Sequence, residues 1–162
     1  MSNWTGFTIS GRFYDLSHLQ PFDHVVEVDG VNVTLHVTFG NHCFTDKKGN
    51  GPLLFKDEGR YWSQERYECT HNLRNIITNK FIEAYAVPYL NKRNNEQYHY
   101  LELEEFDYSI FFDVNKPADT TDRLKLKIVS AYERDQWGTA PKGRPKLIRW
   151  ILAQRIKGKN SL

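Results

Sequence analysis

One stretch leaves this chain few choices. In 31-VNVTLHVTF-39, Val31, Val33, Leu35, Val37 and Phe39 alternate with Asn32, Thr34, His36 and Thr38. That is the two-residue period of a strand with one buried face and one in water. Asp29-Gly30 precedes it, a dipeptide suited to the tight turn of a two-residue hairpin. With those residues as the loop, Val28 faces Val31 and Val26 faces Val33, so one face of both strands is apolar. The run 7-FTISGRFYDL-16 alternates in the same way and predicts a third strand of this first meander.

Residues 40–60, rich in Gly, Asn, Asp and Lys, predict a long loop. The period then changes. Cys69, Leu73, Ile76, Ile77 and Phe81 recur at helical spacing and predict one helix over about 64–80. Strand-like sequence resumes at 81-FIEAYAVPYL-90, where Pro88 argues for an edge or a strand end. The runs 97–103, 107–115 and 123–132 form a second meander. Pro145 suits the first turn of a terminal helix, with Leu147, Ile148, Ile151 and Leu152 on its apolar stripe and Arg149 and Arg155 off it. The expected fold class is α+β: an antiparallel sheet of two meanders packed with one central helix and a basic C-terminal helix.

Composition narrows the function classes. A length of 162 residues suits one domain with its own core. No apolar run reaches the roughly 18 residues of a membrane span, so no membrane partner is expected. The start MSNWTGFTIS lacks the basic and apolar regions of a signal peptide. Two cysteines do not make a disulfide framework, and the expected location is the cytoplasm. Net charge is +2, yet 142-KGRPKLIRWILAQRIKGK-159 holds seven basic residues and no acid. A cationic end on an acidic body suggests an anionic partner. The plain alternative is a solvated basic helix face.

Three clusters could carry chemistry. His42-Cys43 and Cys69-x-His71 supply ligand types that zinc accepts. Adjacent residues on extended chain point to opposite faces, however, and the spacing matches no common finger, so no metal or other cofactor is expected. His42 and His71, with Arg74 three residues on, offer two imidazoles and a guanidinium outside the core. Metal-free phosphodiester cleavage needs such groups to move protons and steady the phosphorane charge. At the end of the last strand, Ser130, Tyr132 and Arg134 could meet phosphate or a base. Lys142, Arg144, Lys146 and Arg149 would add phosphate contacts from the terminal basic segment. For each cluster the alternative is an ordinary surface residue, strand end or helix face. The aromatic group Tyr98, Tyr100, Phe106, Tyr108, Phe111 and Phe112 reads as cross-strand pairing.

The segment 107-DYSIFFDVNKPADTTDRLKLKIVSAYERD-135 resembles small prophage- and plasmid-borne toxin-like proteins related to the barnase, colicin and RelE-type ribonuclease superfamily. The similar part runs over 63–162, and the N-terminal meander of 5–40 would be an addition. The resemblance implies a metal-independent RNA endonuclease held in check by an antitoxin or immunity protein, with Ser130-Ala131-Tyr132 matching the strand-end pattern. The first expectation is therefore a toxin-like ribonuclease, a hydrolase attacking through the 2′-hydroxyl with His and Arg acid–base chemistry. Its site would be His42, His71, Arg74, Tyr132 and Arg134. The alternatives are a non-enzymatic module binding nucleic acid or an acidic protein through the basic helix, and a structural or regulatory phage-derived protein.

Overall fold

The computed structural model describes residues 4–91, 96–103, 108–133 and 144–159, with backbone alone at 88–91, 96–103, 108 and 132–133. The hairpin forms as the sequence predicts. β3 (Phe22–Val28) and β4 (Val31–Phe39) pair antiparallel with Val28 opposite Val31 and Val26 opposite Val33. Asp29 and Gly30 both take positive φ, 51° and 78°, as a type I′ turn requires. Val33, Leu35, Val37 and Phe39 are buried, while Val31 at the hairpin end stays exposed.

The second meander consists of β8 (Tyr85–Asn91), β9 (Glu96–Leu103), β10 (Tyr108–Asn115) and β11 (Arg123–Glu133), each antiparallel to the next. Both meanders belong to one seven-stranded sheet, in which β12 (Lys146–Leu147) and β3 are the edges. Their junction departs from expectation, because β11 lies parallel to β4. Leu124 stands beside Leu35, Leu126 beside Val37 and Ile128 beside Phe39. The apolar sets of two alternating strands are thus in phase, and each fully buried aliphatic side chain contributes about 1.5–3 kcal/mol. Alternation alone does not encode strand direction. Pro88 pairs only toward β9, since β12 covers β8 at Tyr85 and Ala86 alone.

Residues 7–16 do not join this sheet. Ser10 and Gly11 adopt positive φ and split the run into a separate hairpin of β1 (Gly6–Ile9) and β2 (Arg12–Asp15). The expected loop at 40–60 contains short strands, β5 (Thr45–Asp46) and β6 (Leu53–Phe55), which both pair with β7 (Arg60–Trp62). Hairpin and small sheet are joined by rings. Trp4 stands edge-on to Phe44 at 5.1 Å and to Phe55 at 6.0 Å, and Tyr14 meets Trp62 at 5.1 Å.

The central helical segment is broken into α1 (Gln64–Thr70) and α2 (Leu73–Asn79). Ser63 caps α1 by accepting from the Arg66 N–H, satisfying one of the free donors at a helix start. The Thr70 hydroxyl donates to the Tyr67 carbonyl, a back-bond that bends helices, and the break follows at His71–Asn72. Leu73, Ile76, Ile77 and Phe81 face inward as their spacing predicts. The last helix, α3 (Ile148–Ile156), begins after β12, so Pro145 precedes a strand instead of opening the helix. It packs on β3, β10 and β11, and α1 packs on β11.

Arg155 corrects the expected stripe. It is 3% exposed, donating from Nε to the Val114 carbonyl at 2.9 Å and from Nη1 to the Lys159 carbonyl at 2.8 Å. Helical spacing places Arg155 beside Ile151 and Leu152, and a guanidinium reaching a strand carbonyl is tolerated there because its donors are satisfied.

Candidate functional site

The inward stripe of β4 and β11 leaves the opposite face of those strands open. On β11, Arg123, Lys125 and Lys127 alternate with buried Leu124, Leu126 and Ile128. The parallel register sets Lys125 beside His36 and Lys127 beside Thr38. On the other side β10 sets Asn115 opposite Lys125 and Asp113 opposite Lys127. Asp23 on β3 accepts from His36 Nδ1 at 2.7 Å and from Arg123 Nη2 at 3.1 Å. The His36 bond is the largest influence holding the Asp23 carboxyl below its ordinary range, followed by Arg123. Asn115 Nδ2 donates to Asp113 Oδ2 at 2.9 Å.

Lys125 and Lys127 are different. Both are exposed, and neither has an ion-pair partner among the described residues. Two positions apart on one strand, they lie roughly 6.6 Å from each other along it. They line a cavity of about 380 Å³ whose walls also include Trp4, Thr38, Asn41 and Asp113. Gly40 shapes this cavity. Its N–H donates to the Ile128 carbonyl at 2.9 Å, and a Cβ there would lie 3.2 Å from the Val129 carbonyl. The chain can therefore turn tightly over the side of β11 next to Lys127. Trp4 is tied to the rim by its indole N–H, which donates to the Phe39 carbonyl at 2.8 Å. Asn41 donates to Glu58 at 2.9 Å, which fixes its amide orientation and leaves Oδ1 buried without a partner among the described residues.

Of the residues expected to be catalytic, His42, His71 and Arg74 each meet different neighbours. His42 lies in the turn Asn41–Cys43, with Nε2 3.9 Å from Glu58 Oε1. Burial, followed by the charge of Arg60, pushes its pKa down to about 4 against the pull of Glu58, so the imidazole is neutral at pH 7. Cys43 points inward, its thiol donating to the Ile128 carbonyl at 3.6 Å. Burial raises that thiol to about 12, which leaves no thiolate for nucleophilic attack near neutrality.

His71 stacks on His18 instead of meeting His42, with ring centroids 4.3 Å apart and planes 22° from parallel. Tyr67 stands edge-on to His71 at 5.0 Å. The Thr70 hydroxyl gives its proton to Tyr67, so its oxygen accepts from His18 Nε2 at 2.6 Å, which sets the His18 tautomer. Burial, and then His71, lower the pKa of His18. Arg74, beyond the helix break, lays its guanidinium 4.3 Å over the Phe22 ring. No local pattern in the sequence links His18 to Thr70 and His71, 52 and 53 positions further on.

The expected phosphate contacts fare unevenly. A register shift between Phe111 and Phe112 sets Ser130 opposite Phe111, while Ile128 faces Phe112. Ser130 thus leaves the face of Ile128, yet it remains buried and does not reach solvent as expected. Arg149 bonds to Glu83 and to the Glu27 carbonyl. Lys146 holds its ammonium 5.2 Å over the Trp150 ring, and Arg144 is exposed. Tyr132 is described by backbone only; Arg134 and Lys142 lie outside the described residues.

Among the described residues, no group of three or more His, Cys, Asp or Glu side chains is arranged to hold a metal ion, and no helix is long and apolar enough to cross a membrane. No curated protein and no solved structure matches the chain. Residues 6–156 match the YjaZ family, to which the chain therefore belongs.

Proposed function

We propose that this protein is a non-catalytic interaction module that binds single-stranded RNA on the open face of its main sheet. The observation that carries this reading is the pair Lys125 and Lys127, two positions apart, lining one cavity and without ion-pair partners among the described residues. Lysine ammonium groups recognise phosphate as mobile point charges, and an RNA backbone supplies phosphates at intervals. The binding surface of this module is the open face of β11 and not the terminal basic helix expected from the sequence.

The test is fluorescence anisotropy of a labelled single-stranded RNA. Lys125→Glu/Lys127→Glu should abolish binding, whereas Arg144→Glu/Lys146→Glu, with the same charge change, should leave most of it. Equal losses from the two double variants would overturn the assignment to the sheet face.

A second reading is the metal-independent RNA endonuclease, restrained by an antitoxin or immunity protein, that the ribonuclease resemblance implies. The contact between two imidazoles, His18 and His71, favours it. Against it, stacked rings at 4.3 Å leave no room for a phosphate between acid and base, each of which must come within about 3 Å of its oxygen. RNA cleavage that persists in EDTA and disappears in His71→Ala would support the enzyme. Tyr132→Phe and Arg134→Ala would then show whether the strand end takes part.

A further inference from the structure

The cleft contains a charge that a site for phosphate alone would not hold. Asp113 stands directly opposite Lys127 across β10 and β11, where cross-strand side chains start only about 5 Å apart. The two form no ion pair, and both line the cavity. A carboxylate beside a bound anion is unfavourable unless the ligand also brings a neutral donor to it. After its bond from Asn115, the Asp113 carboxylate still has lone pairs to accept one. With His36 engaged by Asp23, the charged groups lining the cavity among the described residues are two ammonium ions and one carboxylate. Their sum of one positive charge matches a phosphodiester monoanion better than a terminal phosphate dianion. A volume of about 380 Å³ lies at the small end of ligand sites and suits one nucleotide unit.

We infer that Asp113 makes the cleft specific for ribose, accepting a hydrogen bond from a 2′-hydroxyl whose neighbouring phosphate lies on Lys125 and Lys127. This inference rests on the RNA-binding reading and goes further by assigning the polymer's sugar as the group recognised. The 2′-hydroxyl is the feature that distinguishes RNA from DNA at a single position.

The experiment compares three oligomers of one sequence, all-ribose uridine, all-2′-deoxyuridine and all-2′-fluorouridine, by anisotropy against the full chain. The 2′-fluoro oligomer retains an RNA-like sugar but has no hydrogen to donate. Ribose should bind about tenfold more tightly than either analogue, as a hydrogen bond to a charged acceptor allows. Asp113→Ala should bring the three together, lowering ribose affinity and raising that of the analogues slightly. Asp113→Asn, which keeps an acceptor oxygen, should retain part of the preference. Thermal unfolding of both variants checks that they fold, and the comparison of oligomers on the wild-type chain needs no variant. Equal binding of the three by the wild type, or a preference that survives in Asp113→Ala, overturns the inference. If all three bind equally and Lys125 and Lys127 are still required, the RNA-binding reading stands without ribose specificity. If none binds, both fail.

Discussion

Two regions of this molecule are basic, and the fold treats them in opposite ways. The terminal segment 142–159 has seven basic residues, but two of its three arginines serve the structure. Arg155 is buried on Val114, and Arg149 joins Glu83 to the Glu27 carbonyl. On the open face of strand β11 stand Arg123, Lys125 and Lys127, and the two lysines have no ion-pair partner among the described residues. Cationic count is thus a poor measure of binding capacity. Arginine's planar fork can satisfy several acceptors at once and suits fixed links, whereas a hydrated lysine ammonium suits a reversible contact.

The largest test of this contrast is Arg155→Met. Removing the guanidinium leaves the Val114 carbonyl buried without its donor and should cost about 3 kcal/mol in urea unfolding. RNA affinity, measured where the variant is folded, should not change. Lys125→Ala/Lys127→Ala should behave in the opposite way. Affinity should fall about tenfold, with stability within about 0.5 kcal/mol of wild type.

Arg149→Ala lies between these, losing an exposed ion pair and a bond to a strand carbonyl, for about 1 kcal/mol of stability. Its effect on affinity should be small; a loss as large as that of the lysine pair would place the binding surface on α3.

The smallest effect is that of pH on the turn Asn41–Cys43, which follows the cleft residue Gly40. His42 has a folded pKa near 4, below its ordinary value of 6.5. As pH falls below about 6.5 the unfolded chain takes up a proton that the folded chain refuses, so stability declines toward pH 4 and levels off below it. The exposed part of the ring reduces the size of this decline. His42→Asn should flatten the stability profile over that window. The imidazole is neutral from pH 8 to pH 6, so RNA affinity should not respond to it there.

Much of the architecture was legible because it rests on local patterns. Asp29-Gly30 set the hairpin register, and the alternation of Val33 to Phe39 and of Leu124 to Ile128 marked the buried face. The same alternation held the candidate site, since Lys125 and Lys127 were already on the wet side of β11. What remained hidden is non-local. Nothing in the sequence states that β11 runs parallel to β4, and without that register Lys127 has no link to Thr38 or to Gly40. The aromatic contacts of Phe7 with Phe44 and Phe55 join the expected strand of 7–16 to the expected loop of 40–60, which no local pattern links. The shift at Phe111 moved Ser130 to the other face, and the stack of His71 on His18 replaced the expected pairing with His42.

The central claim is that Lys125 and Lys127 together hold one RNA phosphate, and its most direct measure is the dependence of affinity on salt. In a plot of the logarithm of the RNA association constant against that of salt concentration, the slope for Lys125→Ala/Lys127→Ala should be less negative than that of the wild type by about 0.7, the value for one phosphate of a single strand. Parallel lines for the two proteins would contradict the claim.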